Sequence, residues 1–175
     1  MCISHVYNGY GLSGKRQVFD ERSTVMNSIL QTIMAALGAF GFALIFNIHG
    51  KKLIIPAIGG ALTWGSYLIM YNISGEMFTS CLVATVMSMI FAEIMARIAK
   101  TPVVILLVPM LIPMIPGGDL YRMMAGLVLS DSKEASLYGQ QLLMEVGGIV
   151  FGIILVSTAM QVAHRVHDLV SAGQD

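Results

Sequence analysis

Residues 101–122 read TPVVILLVPMLIPMIPGGDLYR, an apolar run that is interrupted by prolines and closed by two glycines and a polar group. A proline lacks the backbone N–H, and its ring clashes with the carbonyl four residues earlier. Pro109, Pro113 and Pro116 therefore predict a helix that is broken more than once. Within a bilayer, non-helical backbone is tolerated only where protein buries it or where it lines a wet cavity. We therefore predict a broken membrane segment that helps to form a transport site.

The composition around this stretch is that of a membrane protein. Of the 175 residues, 56% are hydrophobic and only 11% are charged, whereas soluble domains typically carry roughly 25% charged residues. So few charges cannot cover a water-facing surface. The formal net charge of +0 gives no basic bias that would suggest nucleic acid.

Four other apolar runs are long enough to cross a bilayer core of roughly 20 residues. They lie at about residues 27–46, 53–71, 77–96 and 137–162. The last run contains Gly148 and Gly152, a spacing that is typical of closely packed membrane helices. The predicted fold class is all-α, a polytopic membrane protein with four full transmembrane helices plus one Pro/Gly-broken segment.

The chain ends are predicted to lie outside the membrane domain. Residues 1–25 show neither a helical nor an alternating pattern, which predicts a mobile polar tail. Residues 26–168 form the transmembrane domain, and residues 169–175 form a short C-terminal tail. Because Met26 directly precedes the first apolar run, the sequence leaves open whether translation starts there or at Met1.

Basic residues mark one side of the membrane. Lys51 and Lys52 precede the second span, and Arg97 and Lys100 end the third. Because two spans separate the pairs, both lie on the same side, which the positive-inside rule places in the cytoplasm. The side on which each terminus lies stays open.

Residues 92–124, AEIMARIAKTPVVILLVPMLIPMIPGGDLYRMM, resemble the small-subunit half of the threonine/serine exporter family. In that family a Lys-Thr-Pro leads into an apolar stretch that ends in Pro-x-x-Pro-Gly and is followed by Tyr-Arg. The matching positions here are Thr101, Pro102, Pro113, Pro116, Gly117, Tyr121 and Arg122. The likeness covers about residues 28–166.

The resemblance implies half of a two-component exporter, whose other half is a larger membrane subunit. It implies export of threonine and serine, or of a dicarboxylate such as succinate, across the plasma membrane. The membrane potential or a proton gradient would drive that export. No enzyme motif is present, and neither a cofactor nor a metal is expected, because His164 and His167 have no further ligand beyond Asp168.

Arg122 is the first candidate for binding a substrate. A charge at membrane depth costs about 2.5–3.5 kcal/mol and so needs a partner or a purpose, and a guanidinium matches a carboxylate in shape. The alternative is a simple pair with Asp119, three residues away on one helical face. Tyr121 is a second candidate, because its hydroxyl can donate or accept a hydrogen bond. It could equally be an interfacial anchor.

The break itself is predicted to contribute to the site. Gly117 and Gly118 would begin a half-helix whose N–H groups and positive dipole end attract a carboxylate. Pro113 and Pro116 would shape that break. The alternatives are an ordinary turn for the glycines and a static, well-packed kink for the prolines.

Glu145 and Glu93 are the candidates for ion coupling. Glu145 lies in the last apolar run with no basic residue within four positions. A carboxyl group buried there can hold a proton and release it during a transport cycle, although a hydrogen-bonded or near-interface glutamate is the alternative. Glu93 is flanked by apolar residues, but Arg97 is four positions away and favours an interfacial ion pair.

Two other functions stay open on the sequence alone. The chain could be a non-transporting assembly or scaffold subunit of a membrane complex, in which the partner binds every ligand. It could also be a channel, which predicts conductance without coupling to a counter-ion. The sequence does not decide whether copies of the chain form a homo-oligomer.

Overall fold

The computed structural model describes residues 15–172, with side chains described for residues 26–50, 52–163 and 165. This part of the chain forms six helices: α1 (Lys15–Ile45), α2 (Ile54–Ser74), α3 (Met77–Ala99), α4 (Val103–Leu111), α5 (Gly117–Val128) and α6 (Ser132–Ala172). Two short 3-10 turns, Gly50–Leu53 and Ile112–Met114, lie between them. No strand occurs in this range, which confirms the predicted all-α fold class.

Four of these helices contain segments that are long and apolar enough to cross a membrane. The segments are Met26–Ile45, Ile54–Ser74, Met77–Ala99 and Ser132–Ala163. The pair Val103–Met114 and Gly117–Val128 meets the same criterion only when taken together, and it is bent by 54° at its break. The structure therefore confirms four spans plus one broken segment.

The segment breaks once, whereas the prolines predicted more than one break. A proline disfavours helical backbone in the residue before it, and Ile115, which precedes Pro116, is indeed extended at φ −62° and ψ 123°. Pro113 lies in the first turn of its 3-10 helix, where a missing N–H is tolerated. Pro109 lies inside α4 and is fully buried there. One lost hydrogen bond at a buried position does not stop that helix.

Helices extend into both predicted tails. Residues 1–14 and 173–175 lie outside the described part, but α1 already begins at Lys15 and α6 ends only at Ala172. Once a helix exists, each added residue costs little, and Lys, Arg, Gln and Glu are good helix formers. The polar sequence before Met26 therefore continues the first helix.

Glycines bring α3 and α6 into contact. A Cβ built on Gly148 would lie 2.5 Å from the carbonyl oxygen of Phe78, and one on Gly152 would lie 2.8 Å from Cβ of Thr85. Neither contact leaves room for a side chain, so the GxxxG spacing forms a helix interface as predicted. On the other side of α3 lies α2, which in turn packs against α1.

The two basic ends lie close together at one corner. Nζ of Lys52 donates a 2.9 Å hydrogen bond to Oγ1 of Thr101, which joins the start of α2 to the connection between α3 and α4. Lys100 closes α3 in a left-handed conformation, at φ 49°. The corner fixes α4 at its N-terminal end, and Leu106 and Met110 are then buried completely in the core.

Candidate functional site

The break between α4 and α5 lines a cavity of about 320 Å³. Residues 112–119 form one wall, and the others come from α1, α2, α3 and α6. Small-molecule pockets typically measure about 300–1,000 Å³. The volume of this cavity is within that range, and the cavity lies at the break between the two helices.

Most of the cavity wall is apolar or aromatic. From α1 it includes the side chains of Leu30, Gln31, Met34 and Ala35 together with Gly38. From α2 come Trp64 and Tyr67, whose ring centroids lie 5.3 Å apart at a tilt of 33°. The Nε1 atom of Trp64 is buried and has no hydrogen-bond partner among the described residues. An indole N–H can only donate, so one lining residue has a donor without a partner in the described structure.

The first turn of α5 presents further donors to the cavity. The N–H of Gly117 donates to the carbonyl of Ile115 at 2.7 Å, and that of Leu120 donates to Pro116 at 3.1 Å. The N–H groups of Gly118 and Asp119 have no such partner in the described chain, and no side chain caps this helix. All of residues 117–119 line the cavity. The positive end of the helix dipole therefore faces it.

Two carboxyl groups also line the cavity. Glu145, from α6, is only 7% exposed, and its Oε2 atom has no hydrogen-bond partner among the described residues. Asp119, from the first turn of α5, is half-buried and interacts electrostatically with Glu145. The cavity thus combines acidic oxygens with unused N–H donors.

Arg122 lies outside this cavity. Its Nη1 donates a 2.6 Å hydrogen bond to the hydroxyl of Tyr138, and its guanidinium carbon lies 5.1 Å from the centroid of the same ring. The side chain therefore joins α5 to α6, and the described residues show no ion pair between it and Asp119. Tyr121 is 74% exposed on the outer face of α5.

Glu93 belongs to another part of the molecule. It lines a shallow, open depression with Arg97, Lys100 and Thr101 at the corner between α3 and α4. Glu93 is 12 residues beyond Cys81, the α3 residue that lines the cavity, which is about 18 Å along a helix at 1.5 Å per residue. The structure therefore does not bring the two predicted coupling glutamates together.

A comparison with known families identifies the chain. The family model described as threonine/serine exporter, ThrE, matches residues 31–159, which is more than half of the sequence. The chain belongs to the threonine/serine exporter family. Its exporter-type function and its several apolar helices make it a multi-pass membrane transport protein. No solved structure matches this exporter significantly.

The structure places most of the predicted site residues of the exporter in one place. Pro113, Pro116, Gly117, Gly118 and Glu145 all line the cavity. Arg122, Tyr121 and Glu93 do not, and their predicted roles stay predictions. The first four of these lining residues lie together because they belong to the break itself.

Several polar residues of the exporter's cavity were missing from the predicted site, among them Gln31, Asp119 and Trp64. Asp119 was considered only as a partner for Arg122, because an acidic residue in the first turn of a helix is common. Trp64, in mid-span, is predicted from the sequence only to be a packing or cavity aromatic. A hydrogen-bonding side chain at the middle of a span is the only signal that could have singled it out, and that signal also fits a core residue.

Proposed function

We propose that this chain is the small subunit of a two-component exporter in the plasma membrane. It moves threonine, serine or a related small carboxylate such as succinate out of the cell, and a larger membrane subunit completes the transport path. The cavity at the Pro116–Gly117 break holds the substrate. The observation that supports this is the cavity's position: non-helical backbone, unused donors and a buried carboxyl group meet between helices that are long and apolar enough to cross a membrane.

The break supplies what a polar substrate needs inside lipid. Elsewhere in the spans the backbone groups are used within helices, so they offer nothing to a solute. At the start of α5, the N–H groups of Gly118 and Asp119 are unused and face the cavity. Broken helices whose ends point at an anionic group are a recurring form of transport site.

Glu145 is the proposed coupling residue. It is buried, lines the cavity and has an oxygen without a partner in the described structure. A carboxyl group in that position can carry a proton or a charge between the two faces of the membrane. Glu93 stays a second candidate at the other end of α3.

The contact between Arg122 and Tyr138 supports a positioning role. Since Asp119 and Arg122 lie on the same short helix, holding α5 against α6 sets the distance between Asp119 and Glu145. Direct binding of the substrate by Arg122 or Tyr121 would require the side chain to leave its present position.

The proposal is tested by expressing the chain with and without the larger membrane subunit that it requires. Threonine, serine and succinate efflux is measured from preloaded cells, and assembly is measured by co-purification. We expect efflux only when both subunits are present. Efflux at the same rate from cells lacking this chain would refute the proposal.

Substitutions in the cavity separate a transporting subunit from a scaffold. Glu145→Gln should abolish efflux and leave co-purification intact, and Glu134→Gln, an exposed residue on the same helix, should change neither. Normal efflux by Glu145→Gln would favour the scaffold function. Conductance in liposomes without any counter-ion requirement would favour a channel.

A further inference from the structure

The corner where α3 meets α4 carries an excess of positive charge. Its shallow depression is lined by Arg97, Lys100 and Thr101, with Glu93 as the acidic group. Nζ of Lys52 reaches the same place from the turn before α2, because it lies 2.9 Å from Oγ1 of Thr101. Three cationic side chains and one carboxyl group therefore meet there, and the net positive charge of the corner suits an anion.

Hydrogen bonds fix the backbone of this corner but leave donors over. The N–H of Thr101 donates to the carbonyl of Ala96 at 3.0 Å, and its Oγ1 donates to the carbonyl of Ala99 at 3.1 Å. Lys52 uses one of the three donors of its ammonium group. The ammonium group of Lys100 has no hydrogen bond or ion pair to another residue of the described chain. Unused N–H donors are thus held at a fixed place.

An exposed apolar stripe leads from this corner along α3. It consists of Met87, Ile90, Ile94 and Ile98, each at least 44% exposed. Spacings of three and four residues place them on one face of the helix, over a length of about 16 Å at 1.5 Å per residue. Arg97 is three residues from Ile94 and next to Ile98, so the charged depression and the stripe adjoin.

A phospholipid is a ligand that matches both features. Its phosphate accepts hydrogen bonds from cationic donors, and its acyl chain covers apolar surface. A soluble anion would use the depression and leave the stripe uncovered. The positive-inside rule places this corner on the cytoplasmic side, where the leaflet contains anionic lipids and basic pockets between helices bind their headgroups.

We propose that this corner binds one anionic phospholipid of the cytoplasmic leaflet. The phosphate lies at Lys52, Arg97 and Lys100, and an acyl chain follows the stripe from Ile98 towards Met87. The phosphate then bridges the turn before α2 and the end of α3, and it stabilises the corner from which α4 starts. A zwitterionic lipid binds less tightly, because its own ammonium group is repelled by the same cations. This inference does not use the cavity and is independent of the proposed function.

The test uses the full-length chain, purified with whatever subunit accompanies it and transferred to a neutral detergent. Phosphatidylglycerol and phosphatidylcholine with identical acyl chains compete for it, and native mass spectrometry counts the molecules of each lipid that stay bound. We expect a preference for phosphatidylglycerol of at least about tenfold, because each nearby cation contributes about fivefold. High salt should reduce this preference, since it screens exposed charges.

Variants assign the site to its residues. Arg97→Gln and Lys100→Gln should each lower the preference for phosphatidylglycerol by about fivefold, whereas Lys100→Arg, which keeps the charge, should retain it. Lys133→Gln is the matched control, because it removes an exposed lysine that does not line the depression. Ile94→Ser combined with Ile98→Ser should weaken the binding of both lipids alike. The melting temperature without added lipid verifies that each variant is folded.

Two results would overturn the proposal directly. One is equal retention of the two lipids by the wild-type chain, and the other is a preference that survives Arg97→Gln and Lys100→Gln combined. Glycerol 1-phosphate separates a lipid from a soluble anion, and we expect it not to displace phosphatidylglycerol at equal concentration. Displacement by it would assign the corner to a soluble phosphate compound instead. Because efflux is not measured, none of these failures would count against the exporter function.

Discussion

At the scale of single residues, the cavity is defined by groups that the helices leave unused. Glu145 and Trp64 each have a buried polar atom without a partner in the described structure, and both residues line the cavity. The chemistry of the site therefore depends on very few side chains.

The contact of Arg122 with Tyr138 leads to a prediction at this scale. Tyr138→Phe removes the acceptor of the 2.6 Å hydrogen bond but keeps the aromatic ring under the guanidinium. We expect a loss of about 1–3 kcal/mol, because a half-buried charge is left without its partner. The measurement is the melting temperature of the purified exporter complex.

The same variant tests the alternative role of Arg122. If Tyr138→Phe changed the affinity for threonine and left the melting temperature unchanged, the arginine would be acting on the substrate and not as a link between α5 and α6. Arg122→Lys tests the same contact from the other side, because a lysine keeps the charge but does not reproduce the planar stacking of a guanidinium on the Tyr138 ring.

At the scale of elements, the interface between α3 and α6 depends on glycine. Gly148→Ala would place a methyl group 2.5 Å from a backbone oxygen of α3, so the helices must separate. We expect a loss of about 1–3 kcal/mol, as is usual for overpacking, measured as a lower melting temperature. Gly147→Ala is the control, because its new methyl group would meet only the ring of Phe78 at 3.5 Å, an ordinary contact.

The break between α4 and α5 gives a second prediction for an element. Pro116→Ala restores an N–H and removes the restriction on Ile115, so helical hydrogen bonds can extend across the break. The donors at the start of α5 are then used internally, and threonine binding should fall by about tenfold or more. Binding to membranes with the complete exporter is the measurement.

Pro109→Ala is the comparison for that experiment. Pro109 lies within α4 and does not line the cavity, so its replacement should leave threonine affinity unchanged. Equal affinities for wild type and Pro116→Ala would mean that the break is only a packing feature.

At the scale of the whole molecule, three basic residues lie close together at one corner. Lys52 contacts Thr101, and Arg97 and Lys100 line the shallow depression beside it. Cysteines introduced at Lys52 and at Lys100 should both react with a membrane-impermeant maleimide from the cytoplasmic side only, because positive residues are retained there. Removing the two native cysteines, Cys2 and Cys81, provides the background. Labelling of the two positions from opposite sides would contradict this arrangement.

The fold class, the number of spans and the position of the break could all be predicted from the order of residues. Apolar runs of about 20 residues can satisfy their backbone in lipid only as helices, and a proline next to two glycines interrupts such a helix wherever it is folded. These properties are local, so the order of residues is enough to predict them. The structure confirmed the fold class and the four spans plus one broken segment.

Only the tertiary structure decided which side chains share the cavity. Asp119 and Glu145 are 26 positions apart, and Trp64 lies on yet another helix, so no spacing in the sequence relates them. Arg122 is three residues from Asp119 but packs on Tyr138 of the neighbouring helix. Which faces of the helices meet depends on glycine contacts such as that of Gly148 with Phe78. Those contacts exist only once the helices have packed.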